Sequence, residues 1–160
     1  MTLYRDVAFP DRVENLAGDA MFVVATWASS YKAAHAAGII ASENWPAVMH
    51  PTLLGILRRG GSRAIVAAEP PDFLYGFIAG DLSGPLPVVW YVYVKAPYRR
   101  GGIARGLFNA LGVAPEEPFL YACRTSITTR LQHKIRLAKF VPATARYTNY
   151  QEGRYENDHD

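Results

Sequence analysis

The chain has 160 residues, of which 50% are hydrophobic and 19% charged, and it carries a net charge of +3. This composition excludes fibrous and intrinsically disordered proteins, and the length fits one domain, which we predict over residues 1–150 with a polar tail at 151–160. No segment reaches the roughly 18 apolar residues of a membrane-spanning helix, and charges begin at Arg5 before any long apolar run, so we expect no signal peptide and a cytoplasmic location.

Cysteine and histidine content bears on redox and metal chemistry. Cys123 is the only cysteine, which excludes an intrachain disulfide and is compatible with a reducing compartment. The histidines show no paired ligand spacing, so we predict no metal site. They are His35, His50, His133 and His159.

The first third of the chain is predicted to be mostly helical. Residues 2–8 alternate weakly and predict a first strand, and residues 19–36 have apolar positions at helical spacing and predict a helix. A second helix is expected from Pro46, which suits a first helical turn, and it stops at Gly60. We expect Pro51 to break or restart this helix, because proline lacks the N–H that a helix interior needs.

Strands dominate the middle of the chain. Residues 62–69 and 73–83 predict a hairpin, and residues 87–94, rich in β-branched and aromatic residues, predict a strand buried on both faces. A helix is expected over 102–111. The remaining elements are a strand at 117–124, a basic helix at 126–138, and an irregular segment or strand pair at 139–150.

The junction at residues 91–108, YVYVKAPYRRGGIARGLF, admits two interpretations. In the simpler one, the glycines only supply positive φ in a tight turn. In the other, the junction binds an anion, because the first turn of a helix offers unpaired N–H groups and the positive end of the helix dipole. Gly101 and Gly102 then let phosphate approach the backbone, while Arg99, Arg100 and Arg105 add positive charge.

Basic residues are concentrated in the second half of the chain. From Lys95 to Arg146 there are ten basic residues and two acidic ones. Such a field attracts anionic cofactors, nucleotides or nucleic acid, and the alternative is a solvated basic face without a partner. For nucleic acid, the candidate contacts on the predicted basic helix are Arg130, Lys134 and Arg136.

The segment Val94–Leu107 resembles the acetyl-CoA signature of the GNAT superfamily of N-acetyltransferases. The core of that signature is Gln/Arg-x-x-Gly-x-Gly/Ala, which corresponds here to Arg99 through Ala104. KFVP at 139–142 is similar to the Gly-Phe-x-Pro of the family. The resemblance implies an α/β (α+β) fold in which helices flank a single mixed, mostly antiparallel sheet, with a splayed strand pair that holds the coenzyme.

The resemblance also implies a coenzyme site and an activity. The pyrophosphate of acetyl-CoA would lie on backbone N–H groups at the helix start, and the pantetheine arm would pair with the preceding strand. The implied acetyl transfer is to an amine of a small molecule or protein, by a monomer or homodimer. The implied coenzyme-binding residues are Val92, Tyr93, Val94, Arg99, Arg100, Gly101, Gly102, Ile103, Ala104 and Arg105.

Catalytic residues do not carry over from the family. Ile135 stands where many relatives place a tyrosine that protonates the leaving thiolate, Thr128 stands near a frequent asparagine, and Lys139 replaces the glycine of Gly-Phe. For each candidate the alternative is a packing role, with water moving the proton. The candidates by position are Asp81, Tyr91, Tyr93, Cys123 and His133.

Aromatic residues on the acceptor side leave the substrate open. The candidates are Trp27, Tyr31, Trp45, Tyr147 and Tyr150, and the alternative for all of them is a place in the core or at its rim. If they line the site, a planar ring is a suitable ligand. The TWASSY helix and the basic second half also resemble phage-encoded GNAT-like proteins that modify DNA bases. Two alternatives to an N-acetyltransferase therefore remain: a nucleic-acid base modification enzyme and a non-catalytic acyl-CoA-binding module.

Overall fold

The computed structural model describes residues 1–35, 42–114, 116–122 and 138–140. Its six strands form one sheet in chain order: β1 Leu3–Asp6, β2 Ser62–Glu69, β3 Phe73–Asp81, β4 Val88–Val94, β5 Phe119–Tyr121 and β6 Ala138–Phe140. The pairs from β1 to β4 are antiparallel, and β4–β5 and β5–β6 are parallel. The predicted mixed, mostly antiparallel sheet is confirmed.

Helices cover both faces of this sheet. The α-helices of the described residues are α1 Gly18–His35, α2 Trp45–Leu57 and α3 Ile103–Leu111. On one face, α1 and α2 bury Val24 and Leu54 against the strands, and on the other face α3 buries Leu107. No helix within the described ranges has both the length and the apolar character needed to cross a membrane.

The expected break at Pro51 is wrong, because α2 continues through this residue. Proline removes one backbone hydrogen bond from a helix interior. The Thr52 hydroxyl donates to the carbonyl oxygen of Val48 (2.8 Å) and so supplies a side-chain bond in the same turn. Leu53 and Leu57 are buried in the core, and burial of each apolar side chain stabilises the fold by about 1.5–3 kcal/mol. This burial outweighs the lost bond.

The other predicted elements differ from the structure mainly at their ends. The first strand is shorter than residues 2–8, β3 ends at Asp81, and β5 is shorter than residues 117–124. The helix predicted over 102–111 begins one residue later, with Gly102 as its N-cap. Of the predicted helix at 126–138 and the segment at 139–150, only residues 138–140 are described, and they form β6.

Two ion pairs attach the short edge strand β1 to its surroundings. Arg5 donates from Nε and Nη2 to the carboxylate of Asp19 in the first turn of α1 (2.7 and 2.9 Å). Arg63 of β2 donates to the carboxylate of Asp6 (2.6 and 3.0 Å) and to the carbonyl oxygen of Leu111 at the end of α3 (3.2 Å). The hydrogen bond from Arg63 lowers the pKa of Asp6 below its ordinary value.

Candidate active site

A β-bulge interrupts β4 at Trp90. Across the β3–β4 ladder Ala79 pairs with Tyr91 and Gly80 pairs with Val89, so Trp90 is an extra residue on β4. In a regular strand, neighbouring side chains point to opposite faces. Here Trp90 and Tyr91 both enter the core cluster under α1 and α2, while Val89 enters the cluster under α3. The bulge therefore puts two large aromatic side chains side by side on one face of the sheet.

The described pairing between β4 and β5 ends just before this bulge. Val88 pairs with Leu120 and Val89 with Tyr121, and the Ala122 N–H donates to the carbonyl oxygen of Val89 (3.0 Å). From Trp90 onward, β4 continues along β3 alone among the described strands. Along residues 92–94 the side of β4 toward β5 has no neighbour among the described strands, so an extended ligand could pair with backbone groups there.

The loop after β4 leads directly into the first turn of α3. A 3-10 turn at Ala96–Tyr98 is followed by Arg99, whose Nε donates to the carbonyl oxygen of Val94 (2.9 Å). Arg100 and Gly102 both have positive φ, +72° and +80°. This backbone conformation turns the chain sharply enough for α3 to begin at the end of the strand.

The first turn of α3 has the features of an anion site. The first N–H groups of any α-helix have no acceptor within the helix, and here Gly102 supplies no side chain to cap them. The turn contains no acidic residue, and Ala104 and Arg105 are exposed. The N–H groups and the positive helix end therefore face solvent beside exposed guanidinium groups, an arrangement that suits phosphate.

The positive φ that the simpler interpretation assigned to the glycines is present at Gly102. A Cβ on Gly102 would meet no atom within 4 Å, and a Cβ on Gly101 would lie 3.5 Å from the carbonyl oxygen of Tyr98, an ordinary contact. A side chain at either position would therefore not clash with the rest of the protein. Gly102 is required for its φ of +80°, which residues with a side chain rarely adopt.

The predicted catalytic residues lie in different places. Tyr91 is 7% exposed and its ring stacks on Trp27 and Phe77 at centroid distances of 5.5 and 6.0 Å, whereas Tyr93 is only half-buried. Asp81 pairs with Val88 at the far end of β4, and its carboxylate accepts from the Ser83 backbone N–H (2.8 Å). The structure therefore places the two tyrosines in the same core cluster under α1 and α2, and Asp81 at the end of β3. Cys123 and His133 lie outside the described residues.

The predicted acceptor-binding aromatics are mostly enclosed. Trp27 and Trp45 are 6% and 4% exposed, and the Trp45 indole N–H donates to the carbonyl oxygen of Ala28 (2.8 Å). Tyr31 is half-buried and stacks on Trp45 at 6.3 Å. Both tryptophans are core residues, so Tyr31 is the one partly accessible ring of the three. The other candidate binding residues lie outside the described ranges: Arg130, Lys134, Arg136, Tyr147 and Tyr150.

Sequence reasoning missed Trp90 and a separate aromatic cluster where β3 begins and β4 ends. The rings of Phe73, Tyr75 and Tyr98 meet edge to face at centroid distances of 4.8–5.4 Å, and the Lys95 ammonium lies 4.6 Å from the Phe73 centroid. The alternation of Phe73 and Tyr75 on one strand face was the available signal. No glycine, proline or asparagine marks the bulge at Trp90.

Comparisons with known proteins bear on the fold. No protein-family model and no curated protein matches the sequence. The chain is similar to the structure of a Staphylococcus aureus protein classed as a GNAT-family acetyltransferase, with 14% identity, a TM-score of 0.50, and coverage of 88% of this chain and 98% of that one. It is also similar to a Pyrococcus furiosus protein classed as an acetyltransferase, with 11% identity, a TM-score of 0.52, and coverage of 100% and 96%. The chain therefore has the fold of the GNAT-family acetyltransferases, as its glycine junction implied.

Proposed function

We propose that this chain is a GNAT-family N-acetyltransferase that transfers the acetyl group of acetyl-CoA to an amine. One observation carries the proposal: the described pairing of β4 with β5 ends after Val89, and β4 then leads, through a positive-φ loop, into the uncapped first turn of α3. A strand with an open side and an anion site at its end are the two parts that a coenzyme with a pyrophosphate and an amide-containing arm requires.

The first turn of α3 would hold the pyrophosphate. The N–H groups of Gly102, Ile103 and Ala104 are the donors, and Arg100 and Arg105 contribute positive charge from exposed positions. Arg99 has a different role, because its guanidinium Nε bonds the carbonyl oxygen of Val94 and holds the loop against the end of the strand.

The length of the open strand suits the pantetheine arm. Five residues from Trp90 to Val94 span about 13 Å between their ends, at about 3.3 Å per residue. The arm has a backbone of about a dozen bonds, comparable to about four residues of extended chain. An arm that starts beside Val94 would therefore bring its sulfur close to Trp90.

The residues around this point would support acyl transfer. Bound acetyl-CoA supplies an activated thioester, so the protein needs only to orient an amine, stabilise the developing oxyanion and manage protons. The backbone N–H groups of the bulge are candidates for the oxyanion. Tyr93 is half-buried and Tyr91 buried, so the Tyr93 hydroxyl is the better placed of the two to exchange a proton with the leaving sulfur or with water.

Calorimetric titration with free coenzyme A tests the proposal. We expect binding in the micromolar range and its loss in Gly102→Val, whose Cβ would project toward the phosphate. Gly112→Val is the matched control, since Gly112 ends the same helix with a φ of +93° and a Cβ there would lie 3.9 Å from Leu82. The two variants share the same backbone strain. If coenzyme A binds both equally well, or does not bind the parent protein, the proposal is wrong.

Turnover with acetyl-CoA and a panel of amines separates the enzyme from a non-catalytic acyl-CoA-binding module. Nucleic acid belongs in that panel, because the basic residues between Lys95 and Arg146 motivated this acceptor. The burial of Trp27 and Trp45 weakens the case for a nucleic-acid acceptor, since enclosed rings offer no face on which a base can stack. An amine on a small molecule or protein is therefore the favoured acceptor.

A further inference from the structure

The loop between β4 and α3 has no buried side chain. Every residue from Ala96 to Gly102 is exposed, and Ile103 of α3 is the first buried residue after them. Arg100 in this loop has positive φ, and a residue with a side chain keeps such a conformation only when the surrounding structure holds it there. Contacts of the loop must therefore supply the restraint that burial does not.

Two side-chain interactions connect this loop to the sheet in the part of the chain that the structure describes. Arg99 Nε donates to the carbonyl oxygen of Val94 at the end of β4 (2.9 Å). The Tyr98 ring meets the rings of Phe73 and Tyr75 at the start of β3, at centroid distances of 5.4 and 4.8 Å. The loop is thus attached to two neighbouring strands, to β4 through a guanidinium group and to β3 through an aromatic ring.

The sheet holds the rings on which Tyr98 packs. The Phe73 ring meets the Tyr75 ring at 5.0 Å, and the Lys95 ammonium lies 4.6 Å from the Phe73 centroid. The Lys95 backbone N–H donates to the carbonyl oxygen of Tyr75 (2.8 Å), and the Tyr75 hydroxyl donates to the carboxylate of Glu69 on β2. Phe73 and Tyr98 are nevertheless 42% and 37% exposed, so their contact lies at the surface and not in the core.

We infer that Tyr98 is a positioning residue for the coenzyme: its ring holds the Ala96–Tyr98 turn on β3 and thereby fixes the loop that presents the N–H groups at the start of α3 to the phosphate. The inference rests on the proposed function, which places the pyrophosphate there. Tyr98 is two residues before the strained Arg100, so freedom gained at Tyr98 would let the strained backbone relax. Tyr98 belongs to neither core cluster, so loss of its ring should weaken binding much more than folding.

Calorimetric titration with free coenzyme A compares the parent protein with Tyr98→Ala and Tyr98→Phe. We expect Tyr98→Ala to bind at least about tenfold more weakly, because the loop must then be ordered at the expense of binding. Tyr98→Phe should bind within about threefold of the parent protein, because its ring keeps the contact with Phe73. Met21→Ala is the matched control, since Met21 is also 37% exposed but lies on α1, and it should bind as the parent protein does.

Urea denaturation separates positioning from a loss of folded protein. The midpoint for Tyr98→Ala should lie within about 0.5 M of the parental midpoint, and a protein that stays almost fully folded in the assay cannot lose tenfold in affinity through unfolding. Tyr98→Leu, with the same expectations, serves if Tyr98→Ala does not fold. An affinity loss that matches a lowered folded fraction would show that Tyr98 only stabilises the fold, and the inference would be wrong.

Phe73→Ala tests whether Tyr98 acts through its contact with β3. This variant should weaken binding about as much as Tyr98→Ala, and the double variant should bind no more than about threefold more weakly than either single variant. Multiplied losses would mean that the two residues act independently and would overturn the inference, as would parental affinity in Tyr98→Ala. Both results leave coenzyme binding intact, whereas failure of the parent protein to bind coenzyme A would overturn the proposed function as well.

Discussion

Gly76 of β3 lies directly against the backbone of its neighbour strand at Tyr93. A Cβ on Gly76 would overlap the carbonyl oxygen of Tyr93 and lie 2.9 Å from the Cα of Val94. Both contacts are with backbone, which cannot rotate away as a side-chain end can. The close approach occurs in the part of β4 that we assign to the pantetheine arm, so the packing of β3 determines where that strand lies.

Gly76→Ala should therefore destabilise the protein by about 3 kcal/mol, because the strands must separate to admit the methyl group. Gly55→Ala is the control, since a Cβ on this α2 glycine meets nothing within 4 Å. It should stabilise the protein by about 1 kcal/mol through helix propensity. Urea denaturation measures both. Equal stability of Gly76→Ala and the parent protein would contradict the described distance between β3 and β4.

The Asp6–Arg63 ion pair predicts a pH dependence of stability. Because the hydrogen bond from Arg63 lowers the pKa of Asp6 in the folded chain, the unfolded chain takes up the proton first as pH falls. The contribution is complete above the ordinary pKa of 3.8 and is lost as pH falls through the lower folded value. The Asp6 side chain is 62% exposed, so the effect should be at most about 1 kcal/mol.

Denaturation of the parent protein and Asp6→Asn at several pH values measures this effect. The difference in free energy of unfolding between the two proteins should be largest at pH 6 and should shrink toward pH 2. A difference that stays constant over this range would show that Asp6 acts by packing and not by charge.

Replacing Arg100 with glycine should raise the stability of the protein and weaken its binding of coenzyme A. Arg100 has a φ of +72°, a conformation that is strained for any residue with a side chain. Arg100→Gly should therefore stabilise the protein by about 1 kcal/mol. The same variant loses an exposed charge beside the proposed pyrophosphate site, so coenzyme A should bind several-fold more weakly at low salt, with less effect at high salt. Thermal denaturation and calorimetry at two salt concentrations check the two parts separately. Unchanged affinity at low salt would remove Arg100 from the site.

The two strand tyrosines test how the leaving thiolate is protonated. Tyr93→Phe should lower kcat about tenfold and change the pH profile of kcat. This loss is smaller than the roughly 10²- to 10⁴-fold contribution of a positioned general acid, because water can also protonate the thiolate. Tyr91→Phe should have a smaller effect, since the Tyr91 ring is enclosed by Trp27 and Phe77. A loss beyond about 10³-fold in either variant would contradict the water-assisted mechanism. Parental rates in both would exclude the two hydroxyls.

Sequence patterns predicted the strands and the glycine junction because these features depend on local residues. Two strand-like runs separated by Pro70, Pro71 and Asp72 predicted the hairpin of β2 and β3, and the Gly101-Gly102 pair predicted the start of α3. The bulge at Trp90 could not be predicted, since a Trp-Tyr pair suits a regular strand equally well. The continuation of α2 through Pro51 depends on long-range burial of its leucines, and the enclosure of Trp27 depends on which strand residues it meets. Neither is visible in a local pattern.

The extra residue at Trp90 has a consequence for the timing of ligand binding. A bulge increases the local twist of its strand, and this one lies in the ladder with β3, which is formed by backbone hydrogen bonds within the protein. The conformational entropy of ordering this strand edge is lost when the chain folds, so an incoming arm meets a preorganised edge. The free protein should therefore already hold β4 in the geometry that the bound form uses, and coenzyme association should proceed without a slow rearrangement of the sheet.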